Sequence, residues 1–306
     1  MSEPIRETFS SVTGAQLEKR LWPADGEAKA VVQLVHGMAE HIDRYDGVAK
    51  RLNAAGYAVA GHTHLGHGKN APIKGYFTDE NGWDALIDDT HALRKQTQDQ
   101  FPGLPYFLLG HSMGSFVVRT YCLRYEEGLQ GVILSGTGHF ARPIVTAGSV
   151  IASLQCALGM AKKPSKLLHR MNFSANNRQV DNPRTDSDWL SRDEEQVDRY
   201  IADPLCGFMF TARAYRDLFT GLKRLYPDRI GAMKKDIPIL VFSGDRDPVG
   251  GNGEGVREVV GELKATGIED VTLKLYEGAR HEILNELNRD EVCQDLIQWM
   301  DERLAR

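Results

Sequence analysis

The sequence predicts an α/β domain, with a mostly parallel central sheet, helices on both faces and a helical cap inserted after the sixth strand. Three observations carry this. Short apolar runs alternate with amphipathic stretches over residues 30–135 and again from Ile237. One run ends in Gly110-His111-Ser112-Met113-Gly114, which sits between a strand pattern and a helix pattern. Between Gly138 and Ile237 the alternation stops, leaving helical segments and loops without a strand of core character.

The elements follow in order. Residues 7–11 and 16–22 flank Val12-Thr13-Gly14-Ala15 and read as a hairpin. Ala30 to Val35 is a continuous apolar run, the mark of a strand buried on both faces. A helix over 45–55 ends at Gly56, the next strand covers 57–60, and a helix over 83–100 stops before Pro102. The run 105–109 leads into the serine corner and a helix through Val117, Val118 and Tyr121. Gly131 to Ser135 is a further buried strand. After the insertion come a strand at 237–242, a helix at 254–266, a strand at 271–276 and a last helix at 290–304. The organisation is therefore a first core part over 1–138, a cap over 139–232 and a second core part over 233–306.

Composition narrows the function classes. A chain of 306 residues buries a large core without staples. A net charge of −5 with no basic run argues against nucleic acid, because phosphate binding needs a concentrated basic face. Cys122, Cys156, Cys206 and Cys293 are scattered with no C-x-x-C pair, which fits buried thiols of a reducing compartment rather than a disulfide frame or a zinc site. The first seven residues have neither a basic start nor an apolar run, so no leader is expected, and no stretch reaches a membrane span. The expected location is cytoplasmic.

The serine corner carries chemistry. A strand that turns at once into a helix pinches its corner residue and leaves no room for side chains two positions away, which explains both glycines. Ser112 is then exposed at the carboxyl edge of the sheet as a nucleophile. It needs a base and an orienting acid, which at such corners follow in the order serine, acid, histidine. Of the downstream histidines only His281 lies just past a core strand with an acid-bearing strand before it; His139 and His169 do not. Asp245 and Asp247 both end the preceding strand. A loop position past the strand end reaches the far imidazole nitrogen better, which favours Asp247 and leaves Asp245 to brace the turn. The oxyanion needs two N–H donors, and the backbone of Met113 and of Met38, after the buried strand ending at Val35, supplies them. His36 and Gly37 shape that turn and, with His111, border the substrate.

These segments together resemble the monoacylglycerol lipases and bacterial lysophospholipases. The resemblance lies in His36-Gly37-Met-Ala-Glu40-His41 with Arg44-Tyr45 close behind, in residues 101–114 around the serine, in Leu65-Gly66-His67-Gly68, and in residues 276–281 bearing the histidine. It covers about residues 28–138 and 237–305. It implies an α/β-hydrolase fold, places Asp247 on the family's acid, and implies cofactor-free, two-step hydrolysis of a single-chain lipid ester. Two departures stand out: Thr63 occupies a position that is usually aspartate in the family, and the cap gives no alignment. The alternatives are a short-chain carboxylesterase or thioesterase, a peptidase on the same core, and a non-catalytic receptor that keeps the pocket.

Other stretches have plainer readings. His62, His64 and His67 lack a completing cysteine or carboxylate, so loop structure is expected there and no metal. The glycine-rich run 250–255 lacks dinucleotide spacing and reads as a flexible loop beside the acid. Residues 144–160 are apolar around most of a helix and are expected to form a lid over an acyl tunnel. Ile144, Ile151 and Phe208 would line the substrate there, with transient contact to membrane surfaces. The acidic stretch 186–198 reads as a solvated surface. A monomer and a homodimer are equally compatible with the sequence.

Overall fold

The computed structural model describes residues 3–305, so Met1 and Ser2 of the expected leaderless start, and Arg306, lie outside it. Eight strands form one sheet: β1 (Ile5–Ser10), β2 (Gln16–Trp22), β3 (Ala30–Val35), β4 (Tyr57–His62), β5 (Tyr106–His111), β6 (Gly131–Ser135), β7 (Ile239–Gly244) and β8 (Val271–Tyr276). Their spatial order is β1-β2-β4-β3-β5-β6-β7-β8. The hairpin β1-β2 and the pair β2-β4 are antiparallel, and every other pair is parallel.

The strands from β3 to β7 are buried at every residue, whereas β1 is exposed nearly throughout. The cause is coverage by helices. On one face lie α1 (Asp46–Ala54) and, at the end of the chain, a long helix whose Val292, Leu296 and Trp299 pack beneath β5 and β7. On the other lie α2 (Gly82–Gln100) and α3 (Met113–Tyr125), bringing Trp83, Leu86, Val117 and Tyr121. A strand walled on both faces has no solvent side, so its sequence is a continuous apolar run.

Five helices make the insertion: α4 (Arg142–Gln155), α5 (Lys166–Phe173), α6 (Glu194–Ala202), α7 (Ala212–Lys223) and the short α8 (Pro227–Ile230). Serine, aspartate and threonine cap them where the pattern requires: Ser165 accepts from the Leu168 N–H, Asp193 from Gln196 and Thr211 from Ala214. Gly148 of α4 lies against the Phe219 ring of α7, where an added Cβ would meet the ring at 2.4 Å. After the insertion α9 (Glu254–Ala265) joins α2 and α3, and α10 (Arg289–Leu304) is the closing helix.

Several boundaries differ from expectation for local reasons. The strand expected from Ile237 begins at Ile239, because Pro238 has no N–H for the ladder and only its carbonyl pairs, with the Val132 N–H at 2.9 Å. The helix expected at 45–55 is a 3-10 turn over Ile42–Tyr45 followed by α1. The stretch 186–198 is not simply a solvated surface. Asp188 is buried, accepting from the Thr185 hydroxyl at 2.6 Å and its N–H at 3.1 Å, and Asp193 caps α6. Short acidic side chains tie off turns as readily as they face water. Nor is α4 apolar all round in its packing. Val145 and Ala152 are buried, while Ile144 is 67% and Leu154 59% exposed.

Candidate active site

The carboxyl ends of the central strands converge on one point. β3 and β5 are adjacent and parallel, with Val35 beside Gly110. The chain order reverses there, where such sheets form a crevice. At the end of β5, Ser112 adopts φ 53° and ψ −122°, a strained conformation for a side chain of this size. Its neighbours permit it. A Cβ on Gly110 would lie 2.3 Å from the Gly114 carbonyl oxygen, and one on Gly114 would lie 2.0 Å from that of Val35. The Ser112 N–H is held by the Ser135 carbonyl of β6 at 2.9 Å, so the strain is fixed by the neighbouring strand.

Asp247 and His281 come from the ends of β7 and β8. His281 Nδ1 lies 2.9 Å from Asp247 Oδ1, and both are buried. Asp247 also accepts from the Ser243 hydroxyl at 3.0 Å and the Val249 N–H at 2.9 Å. Asp245 does not face the site; it accepts from the Gly278 N–H at 2.7 Å and braces the turn. Burial disfavours the His281 imidazolium. The charge and hydrogen bond of Asp247, with Glu282 and Glu40 behind them, outweigh it and hold the pKa above the ordinary 6.5. Among the described residues no hydrogen bond joins Ser112 Oγ to His281, although both line one cavity. Such bonds often close only around bound substrate.

The loop after β3 brings Met38 to the same cavity as Met113. Among the described residues neither backbone N–H has a hydrogen-bond acceptor, which leaves both free for an oxyanion. The loop is held from below. Gly37 N–H donates to Glu40 Oε1 at 2.6 Å, the Tyr45 hydroxyl donates to the same oxygen at 2.9 Å, and Ala39 N–H donates to His67 Nε2 at 3.1 Å. Thr63, the departure from the family pattern, accepts from the Ile42 N–H at 3.4 Å and so still braces the loop base. Arg44 bridges the two halves of the site. It reaches Glu40 at 2.7 Å and grips both oxygens of Glu282, the residue after His281, at 2.7 Å each.

Beneath this loop four histidines pack together: the His36 ring is 4.0 Å from His64, which is 4.9 Å from His62. Burial disfavours protonation of all of them, lowering His62 to about 3 and His67 to about 4. Because these folded values lie below the unfolded value near 6.5, their contribution is complete above pH 6.5. It is lost as pH falls through 6.5 towards 4 and 3. At about 1.4 kcal/mol per pKa unit, His67 alone withdraws roughly 3 kcal/mol by pH 4. Calorimetry is expected to show Tm falling steadily below pH 6. A Tm that stays level from pH 7 to pH 4 would contradict neutral, loop-bearing histidines.

A cavity of about 700 Å³ opens over Ser112 and extends under the cap. Gly37, Met38, His111, Met113, Ile144, Phe208 and His281 line it as the sequence suggests. Two expected substrate contacts do not. His36 is wholly buried below the loop, its Nε2 accepting from the His64 N–H at 3.0 Å. Ile151 packs on the hydrophobic core. It shares a helix face with Ile144, but seven residues carry it about 10 Å further along the axis, past the cavity. Some residues have no signal in the sequence. Trp189 from the cap lies against His281 with ring centroids 5.0 Å apart, and His169 of α5 faces the cavity. Arg44 and Glu40 are visible in the motif after β3, but not their partnership with Glu282.

Comparison with known proteins agrees with this fold. The family described as serine aminopeptidase S33 matches residues 26–288. A monoacylglycerol lipase of Mycolicibacterium smegmatis is 32% identical over 296 residues, covering 96% of this chain and 95% of its own. The human monoglyceride lipase is 29% identical, covering 95% and 89% respectively. Among solved structures, a thermostable carboxyl esterase from Bacillus coagulans, crystallised with glycerol, superposes with a TM-score of 0.92 at 31% identity. That superposition covers 99% of this chain and 100% of the other.

Proposed function

The chain belongs to the serine aminopeptidase S33 family of α/β-hydrolases, and on that premise we propose that it hydrolyses single-chain lipid esters, a monoacylglycerol or a lysophospholipid, through an acyl-enzyme on Ser112. The observation that carries this reading is the cavity of about 700 Å³, whose walls beyond Ser112 include Phe140, Ile144, Phe208 and Phe219. Its size matches one acyl chain with a small polar head, and apolar walls select for hydrocarbon.

In the proposed reaction, Ser112 Oγ attacks the acyl carbonyl as its proton passes to His281 Nε2. The oxyanion is bound by the Met38 and Met113 N–H groups. His281, held by Asp247, returns the proton to the leaving alcohol oxygen, and the C–O bond breaks to give the acyl-enzyme. Water then attacks with His281 as base, releasing the fatty acid and restoring Ser112. Since His281 acts neutral and its pKa is raised, the acid limb of kcat/KM is expected above pH 6.5.

Fatty-acid release from oleoylglycerol and oleoyl-lysophosphatidylcholine, measured side by side, tests the substrate class. Release from either supports the reading and ranks the headgroups. Cleavage of short esters alone would replace it with the carboxylesterase alternative, which the esterase relative keeps in view.

The same reading includes transient contact with a lipid surface. One face of α4 is buried, and the other presents Ile144, Val150 and Leu154, continued by Leu158 and, on α5, by Leu167 and Met171. Contrary to the expectation from sequence, Arg142–Met160 is long and apolar enough to cross a membrane by length and composition, but its buried face already packs on α7, which suits an interface rather than a span. Replacing Leu154 and Leu158 with serine is expected to reduce sedimentation with phosphatidylcholine vesicles and turnover of vesicle-borne substrate. Hydrolysis of a soluble short ester should not change, and equal losses on both substrates would count against the contact.

A further inference from the structure

Outside the catalytic set, one side-chain cluster combines a histidine, a carboxylate and a thiol in reach of a single ion. A nitrogen of His41, a carboxylate oxygen of Asp203 and the sulfur of Cys206 all lie within 4.8 Å of one another. From this placement we infer that His41, Asp203 and Cys206 form a site for a zinc-like divalent cation, joining the oxyanion loop to the cap.

The donor set is one that zinc accepts. Imidazole, thiolate and carboxylate ligands bind it at about 2.0–2.3 Å in a tetrahedron, with ligand atoms some 3.3–3.7 Å apart. His41 Nε2 and Asp203 Oδ2 are 2.8 Å apart, closer than that, so an entering ion needs only to part them. Asp203 and Cys206 are only half-buried, which leaves an entry path and a fourth position for water.

His41 lies between two carboxylates. When Nε2 binds the ion, its proton must leave and the ring must carry hydrogen on Nδ1 instead. Nδ1 lies 3.9 Å from Asp43 Oδ2, an oxygen that accepts from Arg20 at 2.9 Å, so the ring has an acidic neighbour on that side but no hydrogen bond to it. Binding balances by releasing the Cys206 thiol proton to solvent, leaving thiolate, neutral imidazole and carboxylate on the ion.

The place of the site gives it a consequence. Ala39 O already accepts from the Gly207 N–H at 2.9 Å, and His41 ends the segment that carries the Met38 N–H. An ion there straps the cap segment 203–207 to that segment and stabilises this arrangement by mass action.

The test is titration of the untagged full chain with Co²⁺, followed by displacement with Zn²⁺. The expected result is a Co²⁺ complex with a thiolate charge-transfer band that Zn²⁺ abolishes, and a Tm raised by Zn²⁺. Cys206→Ser, which keeps the shape of the site, is expected to lose the band and the Tm rise. Asp203→Asn, which removes the carboxylate ligand and keeps the thiolate, is expected to keep the band but weaken binding by at least about 10-fold. Absence of a thiolate band in the parent chain, or its survival in Cys206→Ser, overturns the proposal. So does an Asp203→Asn variant that binds as tightly as the parent.

Discussion

Ser112→Ala is expected to lower ester hydrolysis by about 10⁵- to 10⁶-fold while leaving the urea midpoint nearly unchanged. The size follows from its place. Ser112 is held at φ 53° by the Ser135 carbonyl and lines the same cavity as His281. The companion Asp247→Asn separates the roles of the pair. Asp247 Oδ1 accepts from both His281 and Val249 while Oδ2 accepts from Ser243, so an asparagine that keeps the Ser243 bond on its carbonyl oxygen turns its amide towards His281, which then adopts the wrong tautomer. A loss of about 10⁴-fold is expected. Without the carboxylate, burial is left to act on His281 with less opposition, so the acid limb of kcat/KM moves towards lower pH. Steady-state kinetics from pH 5 to pH 9 read both effects. An acid limb that stays where the parent has it would mean that Asp247 does not set the His281 charge.

The second large effect concerns Arg44, which touches no reacting atom. Arg44→Met leaves Glu40 and Glu282 buried without their cation. Breaking a buried pair by removing one partner costs about 3–5 kcal/mol, more than the pair contributes to stability, because the remaining charges stay desolvated. Both stranded carboxylates sit on the machinery. Glu40 holds the Gly37 N–H one residue before Met38, and Glu282 follows His281. The expected outcome is a lower urea midpoint together with reduced kcat. Arg44→Lys restores charge but not the two-pronged grip on Glu282, so it should recover part of the stability and little of the kcat. If lysine recovered both equally, Arg44 would be acting as a charge and not as a positioning fork. Tyr200 of α6, which lies over the guanidinium at 4.8 Å, extends this bridge to the cap.

Much of the core was legible because its local chemistry has few alternatives. The strands β3, β5 and β6 are nearly continuous apolar runs because both their faces are covered; the buried Gln33 of β3 is an exception, donating to the Thr90 carbonyl and accepting from the Tyr106 hydroxyl. The serine corner is legible because only glycine fits where a Cβ would meet backbone oxygens at 2.0–2.3 Å. The order of serine, acid and histidine along the chain then limits the partners. The choice between Asp245 and Asp247 was not fully legible. Two residues apart on a turn, their separation depends on which of them β8 and its loop can reach. Only the packed sheet directs Asp247 to His281 and Asp245 to the Gly278 N–H.

The cap marks the boundary of what patterning conveys. Its helices announce themselves by caps and apolar spacing, yet the spacing that groups Ile144 with Ile151 says nothing of the 10 Å between them along the helix axis. Trp189, Tyr200 and the cluster of His41 with Asp203 and Cys206 meet partners about 90 residues or more away along the chain, and His169 reaches the cavity from a cap helix. The sequence by itself determined the sheet, the serine corner, His281 and the family, because each rests on short-range sterics or on order along the chain. Tertiary structure alone decided which acid faces His281, which cap side chains meet the cavity and that Arg44 joins the two loops. Those outcomes depend on distances between remote segments, which are set by packing and not by any local preference.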